Sequence, residues 1–85
     1  MTTIDAHQHL WVVEPGELGD YQWLDAPVLA PITRTFTEEE LEPQLDAAGI
    51  DCTVMVQSAN TVADTAAMVA VADRWSRVAG VVGWV

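Results

Sequence analysis

Residues Cys52 to Val56 form an unbroken apolar and β-branched run, Cys-Thr-Val-Met-Val, that turns polar at Gln57. A strand of this kind has no solvent-facing side, which suits a parallel sheet covered on both faces. Parallel neighbours need long crossover connections, usually helices. The run is flanked by such connections. Thr37-Glu38-Glu39-Glu40 has the spacing of a capping box, with Thr37 as N-cap and Glu40 three residues on. Its acidic first turn suits the helix dipole. Leu41, Leu45 and Ala48 follow at helical spacing, and Gly49 stands where a C′ glycine ends a helix. Pro43 interrupts the pattern and marks where a first short turn gives way to the main helix.

Beyond the run, Ser58-Ala59-Asn60-Thr61 reads as a loop, with Asn60 or Thr61 capping the next helix. Met68, Val71, Ala72 and Trp75 share one helical face, and that helix is expected to reach about Arg77. Val78 to Val85 reads as a third buried strand that contains Gly80. Thr2 to Ala6 supplies a first, short strand. Residues 12 to 36 show no sustained period and carry Pro15-Gly16, Gly19-Asp20, Pro27 and Pro31 as turn signals. A connection this long is uncommon without a functional reason. The order is β-loop-α-β-α-β, an α/β arrangement with a parallel sheet.

The chain has 85 residues and a formal net charge of −10, from 13 acidic and 3 basic residues. That balance speaks against nucleic acid, whose binding needs clustered Lys and Arg, and against an anionic membrane surface. The acid excess reads as solubility. One cysteine, Cys52, allows no intrachain disulfide, and it reads as a small hydrophobe. There is no apolar run of membrane-spanning length and no signal-peptide pattern, so a cytoplasmic protein is the expectation.

His7 and His9 are the chain's two histidines. Two residues apart on a strand, they project to the same face, with Asp5 also there and Gln8 on the other. Parallel imidazoles can share one ion or flank one substrate group. A catalytic zinc takes three protein ligands and a water, so the pair is half a site. The alternative is a strand end with two solvated histidines.

Ile4-Asp5-Ala6-His7-Gln8-His9-Leu10-Trp11 resembles the first strand of the amidohydrolase superfamily. More narrowly, it resembles the amidohydrolase-related branch that includes L-fuconolactonase and pyrone-dicarboxylate lactonase types. Tyr21-Gln22-Trp23-Leu24, Arg34-Thr35-Phe36-Thr37, Gly49-Ile50-Asp51 leading into Val54-Met55-Val56-Gln57, and Ala79-Gly80-Val81-Val82-Gly83-Trp84-Val85 are similar to the same branch, in the same order. The resemblance runs from end to end of the chain. It implies a (β/α)8 TIM barrel, which needs about 250 residues. Residues 1–85 are therefore expected to be a single partial domain, the N-terminal part of such a barrel with about three β units. The chain is expected to be a piece of a longer protein or a truncated product, since it stops inside the last strand.

The resemblance further implies hydrolysis of a lactone, a cyclic ester of a sugar acid or dicarboxylate. Such a reaction needs an activated water, a group that polarises the carbonyl, and an acid for the leaving group. His7 and His9 are the catalytic candidates. They would hold one divalent metal, zinc, or bind the carbonyl oxygen directly, and both arrangements occur in the branch. Arg34 is a substrate-binding candidate, because its planar guanidinium suits a substrate carboxylate or polar sugar-acid oxygens. Its alternative is pairing with Glu38 to Glu40. Gln57, at the end of the second strand, stands where barrels keep site residues. Trp11, Tyr21 and Trp23 either wall the substrate pocket or pack the long loop, and Trp84 reads as core. The branch also calls for a histidine from mid-barrel and an aspartate general base from the last strand, which these residues do not include. The chain alone is therefore expected to be inactive. The competing reading is a non-catalytic small α/β protein that binds a metal or a partner, with self-association through its exposed sheet edge.

Overall fold

The computed structural model describes residues 2–14 and 17–84. Three strands, β1 (Ile4–Gln8), β2 (Cys52–Val56) and β3 (Val78–Val82), form a parallel sheet in the order β1-β2-β3. Helix α1 (Glu38–Ala48) links β1 to β2, and α2 (Val62–Arg74) links β2 to β3. Leu45 of α1 and Met68 and Val71 of α2 meet Met55 of β2 and Trp75 in one buried cluster, so both helices cover the same face of the sheet. Leu10, Leu41, Ile50, Val78 and Val81 complete it.

The two faces of β2 differ. Thr53 and Met55 are 0% and 1% exposed under the helices. Cys52, Val54 and Val56 point the other way and stay part-exposed, because no described layer covers that side. The expectation of burial on both faces is thus met on one face among the described residues. Ile4 and Val82 are exposed as well, at 51% and 54%.

Several boundaries move. β1 begins two residues later than the expected Thr2–Ala6, and β3 ends at Val82. Val85 and the Pro15-Gly16 turn signal lie outside the described residues. α2 stops at Arg74, where Trp75 turns to an extended conformation and aims its indole into the core. α1 runs unbroken through Pro43. The proline ring removes one hydrogen bond, to the Glu39 carbonyl four residues back, and Glu39 is exposed, so water can replace it. Thr37 is the N-cap of α1, but its side chain makes no capping bond. The capping box does not form because Glu40 turns outward to Arg34. Gly49 does end α1 in the left-handed conformation (φ 70°), and the Ile50 N–H closes the turn on the Leu45 carbonyl.

The long connection carries local regular structure among its described residues. It contains two short 3₁₀ helices, Gly19–Asp25 and Pro27–Ile32. Trp11, Val13 and Leu24 build a second core there, with Leu18, Tyr21, Ile32 and Phe36 against it. No helix among the described residues is long and apolar enough to cross a membrane.

Candidate active site

The site begins with an irregularity in β1. Asp5 pairs with Thr53, but Gln8 pairs with Met55, so β1 spends three steps where β2 spends two. The extra residue is a bulge, a device that re-aims side chains. It breaks the simple alternation expected from the sequence. Asp5 does not share a face with the histidines; its carboxylate accepts from the Gln8 side-chain amide and from the His7 backbone N–H. His7, still within β1, and His9, just past its end, do converge. Their Nε2 atoms are 3.0 Å apart, and the rings meet edge to face at 4.8 Å between centroids.

His9 is fixed from behind. Its Nδ1 lies 3.0 Å from the Val56 carbonyl, at the end of β2, and 3.4 Å from the Ser58 hydroxyl. A carbonyl only accepts, so a neutral His9 carries its proton on Nδ1 and leaves the Nε2 lone pair free. His7 Nε2 then supplies the proton between the rings. Two nitrogens bound to one tetrahedral zinc at about 2.0–2.1 Å stand about 3.3 Å apart. The observed spacing is close to this, and an imidazole whose Nδ1–H is tied to a carbonyl is the usual form of a metal-ligating histidine. The donor set therefore fits half of a zinc site. Among the described residues no group of three or more His, Cys, Asp or Glu side chains is placed to hold a metal ion.

The other sequence candidates divide. Gln57 follows β2 directly; its backbone N–H bonds the Val82 carbonyl, and its amide donates to Asn60 Oδ1 at 2.6 Å. Arg34 forms a bidentate pair with Glu40 (2.9 and 2.6 Å) and lies over the Phe36 ring at 3.8 Å. This is the acidic-turn contact weighed above, although the Arg34 side chain is still 52% exposed. Trp11 is buried in the loop core, its indole N–H on the Arg34 carbonyl and its ring edge-on to Trp23 and Phe36. Trp84 is 42% exposed and not core, since the sheet face beside it is uncovered.

Sequence reading missed Asp64. Its carboxylate is 2% exposed and accepts from Ser58 N–H, Ala59 N–H and the Tyr21 hydroxyl. The Thr61-x-x-Asp64 spacing was the available signal, and the Asp64 N–H does bond the Thr61 hydroxyl. Burial and the Asp64 contact push the Tyr21 phenol far above its ordinary pKa.

No family model matches the chain. It is 45% identical over 82 residues to an L-fucono-1,5-lactonase of Burkholderia ambifaria, spanning 96% of this chain and 27% of that protein. An L-fucono-1,5-lactonase of Burkholderia multivorans is 31% identical over 81 residues, 95% of this chain and 26% of that protein. A crystal structure of an amidohydrolase from Burkholderia multivorans with bound zinc superposes with a TM-score of 0.88 at 28% identity, over all of this chain and 28% of that one. A second crystal form of a Burkholderia multivorans amidohydrolase, with bound HEPES, gives the same TM-score, identity and coverage. This chain is similar to one part of proteins named L-fucono-1,5-lactonase and of a protein named amidohydrolase. It spans about a quarter of the length of these relatives. Its three parallel strands with alternating helices are the corresponding part of an amidohydrolase TIM barrel. In such barrels the C-terminal ends of the strands carry the chemistry, and the ends of β1 and β2 here hold His7, His9, Val56 and Gln57.

Proposed function

We propose that the chain supplies the first histidine pair and part of the substrate wall of a lactone-hydrolysing amidohydrolase. The supporting observation is the meeting of His7 Nε2 and His9 Nε2 at the C-terminal end of β1, with His9 locked from behind by the Val56 carbonyl. The substrate class is a cyclic ester of a sugar acid, the class named by both curated relatives. His7 and His9 would hold one divalent metal, for which zinc fits the spacing; when bound, it would polarise the lactone carbonyl and acidify a water. Further ligands and the general base come from outside these 85 residues. Gln57, one residue past Val56, presents its amide to a substrate oxygen. Arg34 reaches polar oxygens of the sugar-acid substrate by giving up Glu40 for them, and Trp11 holds the loop that shapes the wall. The protein works in the cytoplasm.

A second reading rests on the open sheet. Neither β1 nor β3 has an outer neighbour among the described residues, and Ile4, Val54, Val56 and Val82 leave one face without a cover. A chain acting alone in this form would self-associate through an edge and bind a metal or partner without catalysis.

Zinc titration of the purified chain, followed through the ring resonances of both histidines, tests the site. We expect His7 and His9 to shift together at one zinc per chain, and His9→Ala to lose the response. The chain alone is expected to hydrolyse no sugar-acid lactone. Independent titration of the two rings by zinc, or turnover by the isolated chain, contradicts the proposal.

A further inference from the structure

Trp84 is 42% exposed and stands just past the end of β3, across β2 from the histidines. Strand register gives its direction. Met55, buried under the helices, pairs with Gln8 on one side and with Val81 on the other. Paired residues share a face, and successive residues alternate. Gln8 and Val81 therefore lie on the helix side, while His7, His9 and Val82 lie on the uncovered side. Gly83 returns to the helix side, where a Cβ would stand 2.6 Å from Thr65 Cγ2 of α2. Trp84, one residue on, takes the side of the histidines. Its backbone is held by the Thr65 hydroxyl, which accepts from the Trp84 N–H at 2.9 Å and lies 3.2 Å from the Trp84 carbonyl.

We infer that Trp84 is a substrate-binding residue, a platform for the ring of a cyclic ester whose carbonyl lies at the histidines. Trp11, Trp23 and Trp75 each donate their indole N–H, to the Arg34 carbonyl, the Ser58 carbonyl and the Glu42 carboxylate. Among the described residues the Trp84 indole N–H has no acceptor. Two strand spacings, about 10 Å, separate β1 from β3. Val56, whose carbonyl meets His9, is level with Val82. Trp84 stands two residues, about 7 Å, closer to the C-terminal rim. A sugar lactone presents C–H groups on its ring face and hydroxyls on its edge. The indole covers the first, and its N–H meets an oxygen of the second. An apolar wall with a few placed donors is how small-molecule sites orient a ligand. The opened acid has no ring face, so the platform favours the cyclic form. The ligand class rests on the function proposed above; the direction of Trp84 stands apart from it.

NMR on the whole chain decides the matter. In the unaltered chain, nuclear Overhauser contacts should join the Trp84 indole to Val82, and the Trp84 amide should exchange slowly; an indole packed on α2 overturns the inference without any variant. Titration with L-fucono-1,5-lactone should shift the Trp84 indole N–H to saturation, and the open-chain acid should leave it in place. Trp84→Leu should weaken lactone binding, read from the Val56 and Gln57 amides, about 10-fold, as expected for losing the cover of one large apolar side chain. Thr65→Val keeps the shape and loses both bonds. It should free the Trp84 amide and weaken binding, with exchange at Met55 in the core unchanged, and Thr65→Ser should restore both. A Trp84 indole that ignores the lactone, or equal affinity in Trp84→Leu, overturns the platform and leaves the histidine pair standing. A Trp84 response in a chain whose histidines ignore zinc upholds the platform and removes the metal reading instead.

Discussion

His9 donates through Nδ1 to the Val56 carbonyl, and that contact leaves Nε2 turned toward His7. The residue types needed for this were visible in the sequence, since His-x-His at a strand end predicts a shared direction. The bulge in β1 was not visible, because register depends on what the neighbouring strand offers. It moves Asp5 to Gln8 and away from the rings. Asp64 was hidden for a similar reason: its partners Tyr21 and Ser58 lie 43 and 6 residues away, and only the fold unites them. Tyr21 gives a prediction at this scale. Its phenol pKa is raised in the folded chain, by burial first and then by Asp64. The stabilisation is therefore present below the unfolded pKa of about 10 and is lost as pH rises beyond it. Denaturant unfolding should show the unaltered chain losing stability above about pH 10. Tyr21→Phe should be less stable at pH 8 by about 1.5–3 kcal/mol, the range for a hydrogen bond to a charged group, and should lack that alkaline loss.

Helix α1 carries its constraints at its two ends. Gly49 holds φ at 70°, where a side chain is strained although nothing lies within 4 Å to clash with it. Gly49→Ala should cost about 1–2 kcal/mol, measured by thermal unfolding. At the other end, Glu38 pairs with Arg74 of α2 at 2.6 Å, and this contact draws the Glu38 carboxyl below its ordinary range. A depressed carboxylate stabilises above its unfolded pKa of about 4.3, and that contribution is lost as pH falls through the folded value. Glu38→Gln should flatten the acid limb of a stability profile between about pH 5 and pH 3; an unchanged limb would dismiss the pair. The helices were legible from spacing and from Gly49, and Thr61 was a correct cap. The failed capping box at Thr37 was not legible, because Arg34 competes for Glu40 across the loop. The two 3₁₀ helices were missed because proline- and glycine-rich segments carry no helical period, and the Trp11–Leu24 core holds them instead.

At the scale of the molecule, one sheet face is covered and one is not. α1 and α2 bury Met55, Leu45, Met68 and Val71, and the histidines stand at the strand ends beside the open side. A three-stranded parallel sheet with helices on one face is what part of a barrel looks like, and the relatives share it at a TM-score of 0.88. The parallel order could be read from the sequence; which face would lack a cover could not, because both faces of β2 are equally apolar. The central claim is that these residues contribute a working histidine pair to a larger site. The measurement that tests it most directly is lactone hydrolysis by a chimera, with this chain replacing the matching quarter of the Burkholderia ambifaria lactonase. We predict that the chimera hydrolyses L-fucono-1,5-lactone, that His7→Ala and His9→Ala each lower the rate at least 100-fold, the upper end for loss of one group acting on the proton or metal, and that the chain alone gives none. A folded chimera that is inactive, or one whose rate survives both substitutions, would contradict the account.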